Sequence, residues 1–133
     1  MADPSQNPPA RPTVLLVEDE AELVTLWRKV LDQDFDLETA ANGEEAALLF
    51  AARPFDLIVS DHMLPGRLQG LDFLVQALQQ RPATRRVLMT GYMNPDLIAR
   101  SISIAKLSAC LIKPIKVLDL RDEMFAALGS RQS

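Results

Sequence analysis

Phe55-Asp56-Leu57-Ile58-Val59-Ser60-Asp61 is a short apolar run that ends on a carboxylate. Leu57, Ile58 and Val59 are consecutive, so the alternation of a half-exposed strand is missing. A strand of this kind is covered on both faces, as the central strands of parallel sheets are. His62-Met63-Leu64-Pro65-Gly66 follows as a loop, which puts Asp61 where the strand stops. Open α/β sheets bind ligands just beyond the carboxyl ends of their strands. A lone carboxylate there is most often a solvated loop residue. Its weight depends on what the other strands carry at the same edge.

Working outward, Thr13-Val14-Leu15-Leu16-Val17 reads as a second covered strand, followed by Glu18-Asp19-Glu20. Leu23, Val24, Leu26, Trp27, Val30 and Leu31 recur at helical spacing and predict a helix from Glu20 to Asp32 with Trp27 on its apolar face. Phe35 to Ala40 alternates, as an edge strand would. Asn42 and Glu45 form a capping-box pattern before an Ala-Leu-Phe helix that Pro54 prevents from continuing. A third helix carries Phe73, Leu74, Ala77 and Leu78 and closes before Pro82. Arg85 to Thr90 is a fourth strand, and Asn94-Pro95-Asp96 is a strong start for a helix to about Leu107. Ala109 to Ile112 is a fifth strand, ending on Lys113-Pro114. Val117, Leu118, Leu120, Arg121, Met124, Phe125 and Leu128 make the last helix, with Gly129 fitting its C-terminal cap.

Five strands alternating with five helices predict an α/β fold: a five-stranded parallel sheet, flavodoxin-like and doubly wound, joined by right-handed crossovers. The first strand ends in Glu18 and Asp19, the third in Asp61, the fourth in Thr90 and the fifth in Lys113. The second ends in Ala40 and Ala41, so it belongs at the far edge, giving the order 2-1-3-4-5. Three carboxylates at one cleft repel each other and call for a cation, and an all-oxygen site suits Mg²⁺. A phosphoryl group approaching such a site needs positive charge on its oxygens, which Mg²⁺, Lys113 and the Thr90 hydroxyl would supply. Asp61 is then the in-line nucleophile.

The chain resembles the receiver domain of two-component response regulators. The resemblance rests on Val14-Leu15-Leu16-Val17-Glu18-Asp19-Glu20, Ala41-Asn42-Gly43-Glu44-Glu45-Ala46, Asp61 with Pro65-Gly66, Thr90-Gly91 and Lys113-Pro114. It covers residues 13–129, between a proline-rich leader over 1–12 and a tail over 130–133. It implies that Asp61 accepts a phosphoryl group from a sensor histidine kinase or phosphotransfer protein. It also implies Mg²⁺ on Asp19, Asp61, the Met63 backbone carbonyl and, mostly through water, Glu18. Lys113 would bind one phosphoryl oxygen and Thr90 another, and the Lys113-Pro114 peptide would be cis. The family's output surface is the fourth helix, fifth strand and fifth helix. Ile98, Ile102 and Ile104 cannot all face one core, which marks part of that helix for a downstream protein or a homodimer.

Three departures stand out. Cys110 holds the place of the family's switch aromatic, with Tyr92 the nearest aromatic substitute. Gly70 comes one position late, an insertion around Arg67-Leu68-Gln69, and Leu64 stands where methionine is common. By the same resemblance, Met63 and Tyr92 hold the two loop positions that flank the phosphoryl group, and both are bulky and uncharged, which implies shielding from water and slow self-hydrolysis. The expected activity is confined to the protein's own phosphorylation and dephosphorylation.

Composition narrows the alternatives. The 133 residues are 48% hydrophobic and 24% charged, one ordinary globular domain with a real core. The net charge of −4 argues against direct nucleic-acid binding. One cysteine and one histidine exclude an internal disulfide, a Cys-x-x-Cys pair and multi-histidine metal sites. No run reaches the ~18 apolar residues of a membrane span, so the expectation is a cytoplasmic protein without membrane contact. No sequence remains for an output domain, which leaves a stand-alone receiver or one excerpted from a longer chain. An aspartyl phosphatase of the haloacid-dehalogenase type needs Asp-x-Asp, and Asp61-His62-Met63 lacks it. An FMN binder needs a phosphate loop where Glu18-Asp19-Glu20 would repel phosphate. A receiver-like module working without phosphorylation is the remaining alternative. Asp19 alone reads as a helix cap paired with Glu22, His62 as turned away from the site by strand alternation, and Cys110 as a small buried hydrophobe. Gln79-Gln80-Arg81 and Arg85-Arg86 read as solvated surface.

Overall fold

The computed structural model describes residues 11–91 and 94–129. Residues 1–10, Tyr92 with its proposed shielding role, and the tail 130–133 lie outside them. The element order is β1 (Thr13–Val17), α1 (Ala21–Leu31), β2 (Asp36–Ala40), α2 (Gly43–Ala52), β3 (Leu57–Asp61), α3 (Gly70–Gln80), β4 (Arg85–Thr90), α4 (Pro95–Ala105), β5 (Ala109–Ile112) and α5 (Val117–Gly129). The sheet is parallel throughout, in the order β2-β1-β3-β4-β5. The bland strand is thus an edge, as its ending predicts. The register aligns Val17 with Ser60 and Asp61 with Met89, so the strands that carry polar ends finish at one level.

The unbroken apolar runs follow from burial on two faces. Val14, Leu16, Leu57, Val59, Val87 and Met89 pack with Trp27, Leu31, Leu120 and Met124 of α1 and α5. Leu15, Val17, Ile58 and Leu88 point the other way, onto Phe50, Phe73, Leu74 and Ala105 of α2, α3 and α4. All five positions of β3 are buried. Each such Leu, Ile or Val contributes about 1.5–3 kcal/mol by leaving water.

Helix starts follow local chemistry. The Asn42 side chain accepts from Glu45 N at 2.8 Å, and Asn94 accepts from Asp96 N at 2.9 Å ahead of Pro95. Helix α4 ends at Ala105, before the predicted Leu107, because Lys106 turns left-handed at φ 48. Gly129 is the last residue of α5 rather than a residue beyond it.

Some expected surfaces and faces are corrected. Arg86 is buried and Arg81 and Arg85 are half-buried, against the reading of all three as solvated. Arg81 reaches back over the Phe50 ring at 4.9 Å and donates to the Arg53 carbonyl at 2.9 Å. Leu26, Leu118 and Phe125, assigned to apolar faces by spacing, are 58%, 54% and 44% exposed. Each is offset from its helix's buried stripe, and the Phe125 ring packs tilted on Phe35, centroids 4.9 Å apart. Among the described residues, no helix is long and apolar enough to cross a membrane.

Candidate functional site

Strand ends deliver the site. Glu18 follows β1, Asp61 closes β3, Thr90 closes β4 and Lys113 follows β5. Glu18 and Asp61 are buried, whereas Asp19 is exposed. Carboxylate oxygens of Glu18, Asp19 and Asp61 lie within 4.8 Å of one another. The Lys113 ammonium donates to Glu18 Oε1 at 2.9 Å and to Asp61 Oδ2 at 3.2 Å. The backbone N–H of Glu20 donates to the other Glu18 oxygen at 3.2 Å. The Lys113 N–H donates to the Thr90 carbonyl at 2.8 Å, which fixes the base of the lysine against β4. The Lys113-Pro114 peptide is cis.

The electrostatics are those of an under-neutralised pocket. Burial pushes the Asp61 carboxyl up, against the lowering pull of Lys113. Glu18 is also raised, by burial first, with Asp61 adding repulsion. Burial pushes Lys113 down, but its bond to Glu18 and the charges of Asp61 and Glu18 outweigh that, and the net direction is up. Three carboxylates face one ammonium, an excess of two negative charges. Oxygen donors, partial exposure and that excess fit a hard divalent cation that keeps some of its water.

Asp19 is not used as a helix cap: the N-cap of α1 is Glu20, with no side-chain cap bond. Met63, whose carbonyl is a candidate ligand, has a 73% exposed side chain. His62 is half-buried. It lines a small cavity with Leu88, Thr90, Leu97, Ile98, Ser101 and Cys110, and its buried Nδ1 has no hydrogen-bond partner among the described residues. Cys110 is half-buried against the α4 side of the core, and burial raises its thiol.

The loop from Asp61 to α3 holds the residues that sequence reading missed. Gly70 lies so close to Asp61 that a Cβ there would sit 1.8 Å from the Asp61 carbonyl oxygen, and its N–H donates to the His62 carbonyl at 3.1 Å. Glu44 of α2 accepts from Arg67 N at 2.9 Å and Leu68 N at 3.2 Å. The late glycine was the visible signal for this loop. Nothing in the sequence linked Glu44 to it.

Comparison with known proteins agrees with this geometry. The family model of the response regulator receiver domain matches residues 14–125. The response regulator protein PilR of Pseudomonas aeruginosa is 35% identical over 124 residues, which are 92% of this chain and 27% of that protein. The hydrogenase transcriptional regulatory protein HoxA of Cupriavidus necator is 30% identical over 77% of this chain and 21% of its own length. The chain therefore spans about a quarter or less of these relatives. The crystal structure of the signal receiver domain of an HD domain-containing protein from Pseudomonas fluorescens Pf-5 superposes with a TM-score of 0.83 at 30% identity. That match covers 92% of this chain and 98% of that one. With the strand order, the clustered strand-end carboxylates and the family match in agreement, the chain belongs to the response regulator receiver domain family.

Proposed function

We propose that the protein is a phosphorylation switch in which Asp61 accepts a phosphoryl group from the phosphohistidine of a sensor histidine kinase or phosphotransfer protein. The observation that carries this is the Lys113 ammonium held between Glu18 and Asp61, with Asp19 completing the carboxylate cluster. An Asp61 oxygen forms a bond to phosphorus while the phosphorus–nitrogen bond breaks, and the departing imidazole takes up a proton. Asp19, Asp61, Glu18 through water and the Met63 carbonyl would hold Mg²⁺, which supplies charge neutralisation for the phosphoryl oxygens. Lys113 leaves its carboxylate partners for one phosphoryl oxygen, and the Thr90 hydroxyl takes another. Little else is needed, because phosphoryl transfer depends chiefly on positioning and charge.

Output passes through protein contact. Ile102 and Ile104 of α4 and Leu118 of α5 are 40%, 50% and 54% exposed, on the elements that flank β5. This is the face we assign to a downstream protein or a homodimer.

Beryllofluoride, a phosphoryl mimic, tests the reading by calorimetry. Wild type is expected to bind it only when Mg²⁺ is present, and Asp61→Asn not at all. Equal binding by Asp61→Asn, or binding without Mg²⁺, would remove Asp61 or the cation from the account.

A further inference from the structure

We propose that Gln69 is a positioning residue for the cation site, because its carboxamide clamps the Leu64 peptide and so sets the direction of the Met63 carbonyl. The inference rests on the Mg²⁺ reading given above. Gln69 is the N-cap residue of α3, yet its side chain makes no cap hydrogen bond. Instead, Gln69 Oε1 accepts from Leu64 N at 3.0 Å, and Nε2 donates to the Leu64 carbonyl at 2.9 Å and the Gly66 carbonyl at 3.2 Å. Leu64 offers a donor and two carbonyls offer acceptors, so one orientation of the amide satisfies all three bonds.

The consequence follows from peptide planarity. The Met63 carbonyl and the Leu64 N–H belong to one rigid trans peptide, in which they point in opposite directions. Holding the N–H on Gln69 therefore fixes the carbonyl on the opposite side of that plane. The rest of the loop is tied independently. Glu44 holds the Arg67 and Leu68 N–H groups, Gly66 turns at φ +91, and Gly70 packs on the Asp61 backbone. The inserted residue lengthens the loop, and Gln69 at its end closes it on Leu64. A carbonyl held in place before the cation arrives costs no reordering when it binds. Groups that orient a metal ligand without touching the metal are typically worth about 10–100-fold in metal affinity.

The test is Mg²⁺ calorimetry and thermal unfolding on wild type, Gln69→Ala and Gln69→Glu. Both variants lose the two donated bonds, so both are expected to melt earlier than wild type. Gln69→Glu keeps an oxygen for the Leu64 N–H and is expected to hold Mg²⁺ within about threefold of wild type, while Gln69→Ala weakens it about tenfold. A merely structural role would lower both melting temperatures and leave both affinities alike. Gln69→Ala binding Mg²⁺ as wild type does, or both variants weakened equally, would overturn the proposal. Wild type failing to bind Mg²⁺ would overturn the metal reading itself and this inference with it. Should Gln69→Ala not fold, Gln69→Met fills the same space without hydrogen bonds and carries the same comparison.

Discussion

Lys113→Ala is expected to move phosphorylation and Mg²⁺ binding in opposite directions. Phosphoryl uptake from a small donor should fall by about 10²–10³-fold, the usual effect of removing one donor aimed at developing charge. Mg²⁺ should bind more tightly, because the ammonium that competes for Glu18 and Asp61 is gone. Without Mg²⁺ the variant should lose on the order of 2–3 kcal/mol of stability, somewhat less than for a fully buried pair because the site opens at the sheet edge. The pH dependence has a definite sign. Lys113 is raised in the folded state, so its stabilising share is complete below its ordinary value and is lost only as pH rises through the raised one. Glu18 and Asp61 are also raised, so each favours folding below its ordinary value of 4.5 or 3.8 and loses that share as pH climbs. As they ionise with rising pH, both carboxylates take on a burial penalty and depend on the ammonium. The stability gap between wild type and Lys113→Ala should therefore be widest near neutrality and shrink as pH falls toward 4.5. Urea unfolding across that range checks it, and parallel curves for the two proteins would sink the charge argument.

Arg86→Met should produce the largest stability loss away from the site. Arg86 is 5% exposed and sends its guanidinium across the gap between β4 and the end of α4. It donates to the carbonyls of Ala105 at 2.8 Å, Lys106 at 3.0 Å and Pro82 at 3.4 Å, and also to that of Thr84. Two of these acceptors are terminal carbonyls of α4, where a positive charge is favoured by the helix dipole. Burial lowers the Arg86 pKa, with Arg85 adding repulsion, so the charge is held by carbonyl dipoles. Methionine fills the volume but leaves buried carbonyls unpaired, at a cost of about 3 kcal/mol. Lysine should recover less than half, since a point ammonium cannot span the fork of acceptors. Hydrogen exchange should quicken in α4 of both variants before the rest of the fold. Unchanged exchange in α4 would mean that Arg86 does not hold that helix.

The contrast between Asp61 and Arg86 shows what the sequence carried. Strand runs such as Leu57-Ile58-Val59 have one physical reading, burial on both faces, and the residue that ends such a run must lie at the sheet edge. Glu18, Asp61 and Lys113 could therefore be brought together from order alone, and the sheet does so within 3.2 Å. The Arg85-Arg86 pair has no such constraint. Long charged side chains are mostly exposed, and which of two neighbours turns inward depends on where α4 ends. Helical spacing likewise names more apolar positions than one stripe can bury, which is why Leu26, on the apolar face by spacing, stands 58% exposed. Gln69 falls in a stretch that reads as an insertion, but its bonds to Leu64 and Gly66 depend on how the loop folds back. Glu44 reaches the same loop from 23 residues away, a separation that local pattern cannot bridge.

The most direct test of the central claim is the intact mass of the protein after incubation with acetyl phosphate and Mg²⁺, with Asp61→Asn alongside. The expected result is the mass of one added phosphoryl group on wild type, none on Asp61→Asn, and none on wild type when Mg²⁺ is chelated. An adduct of equal yield on Asp61→Asn would place the chemistry on another side chain and contradict the account.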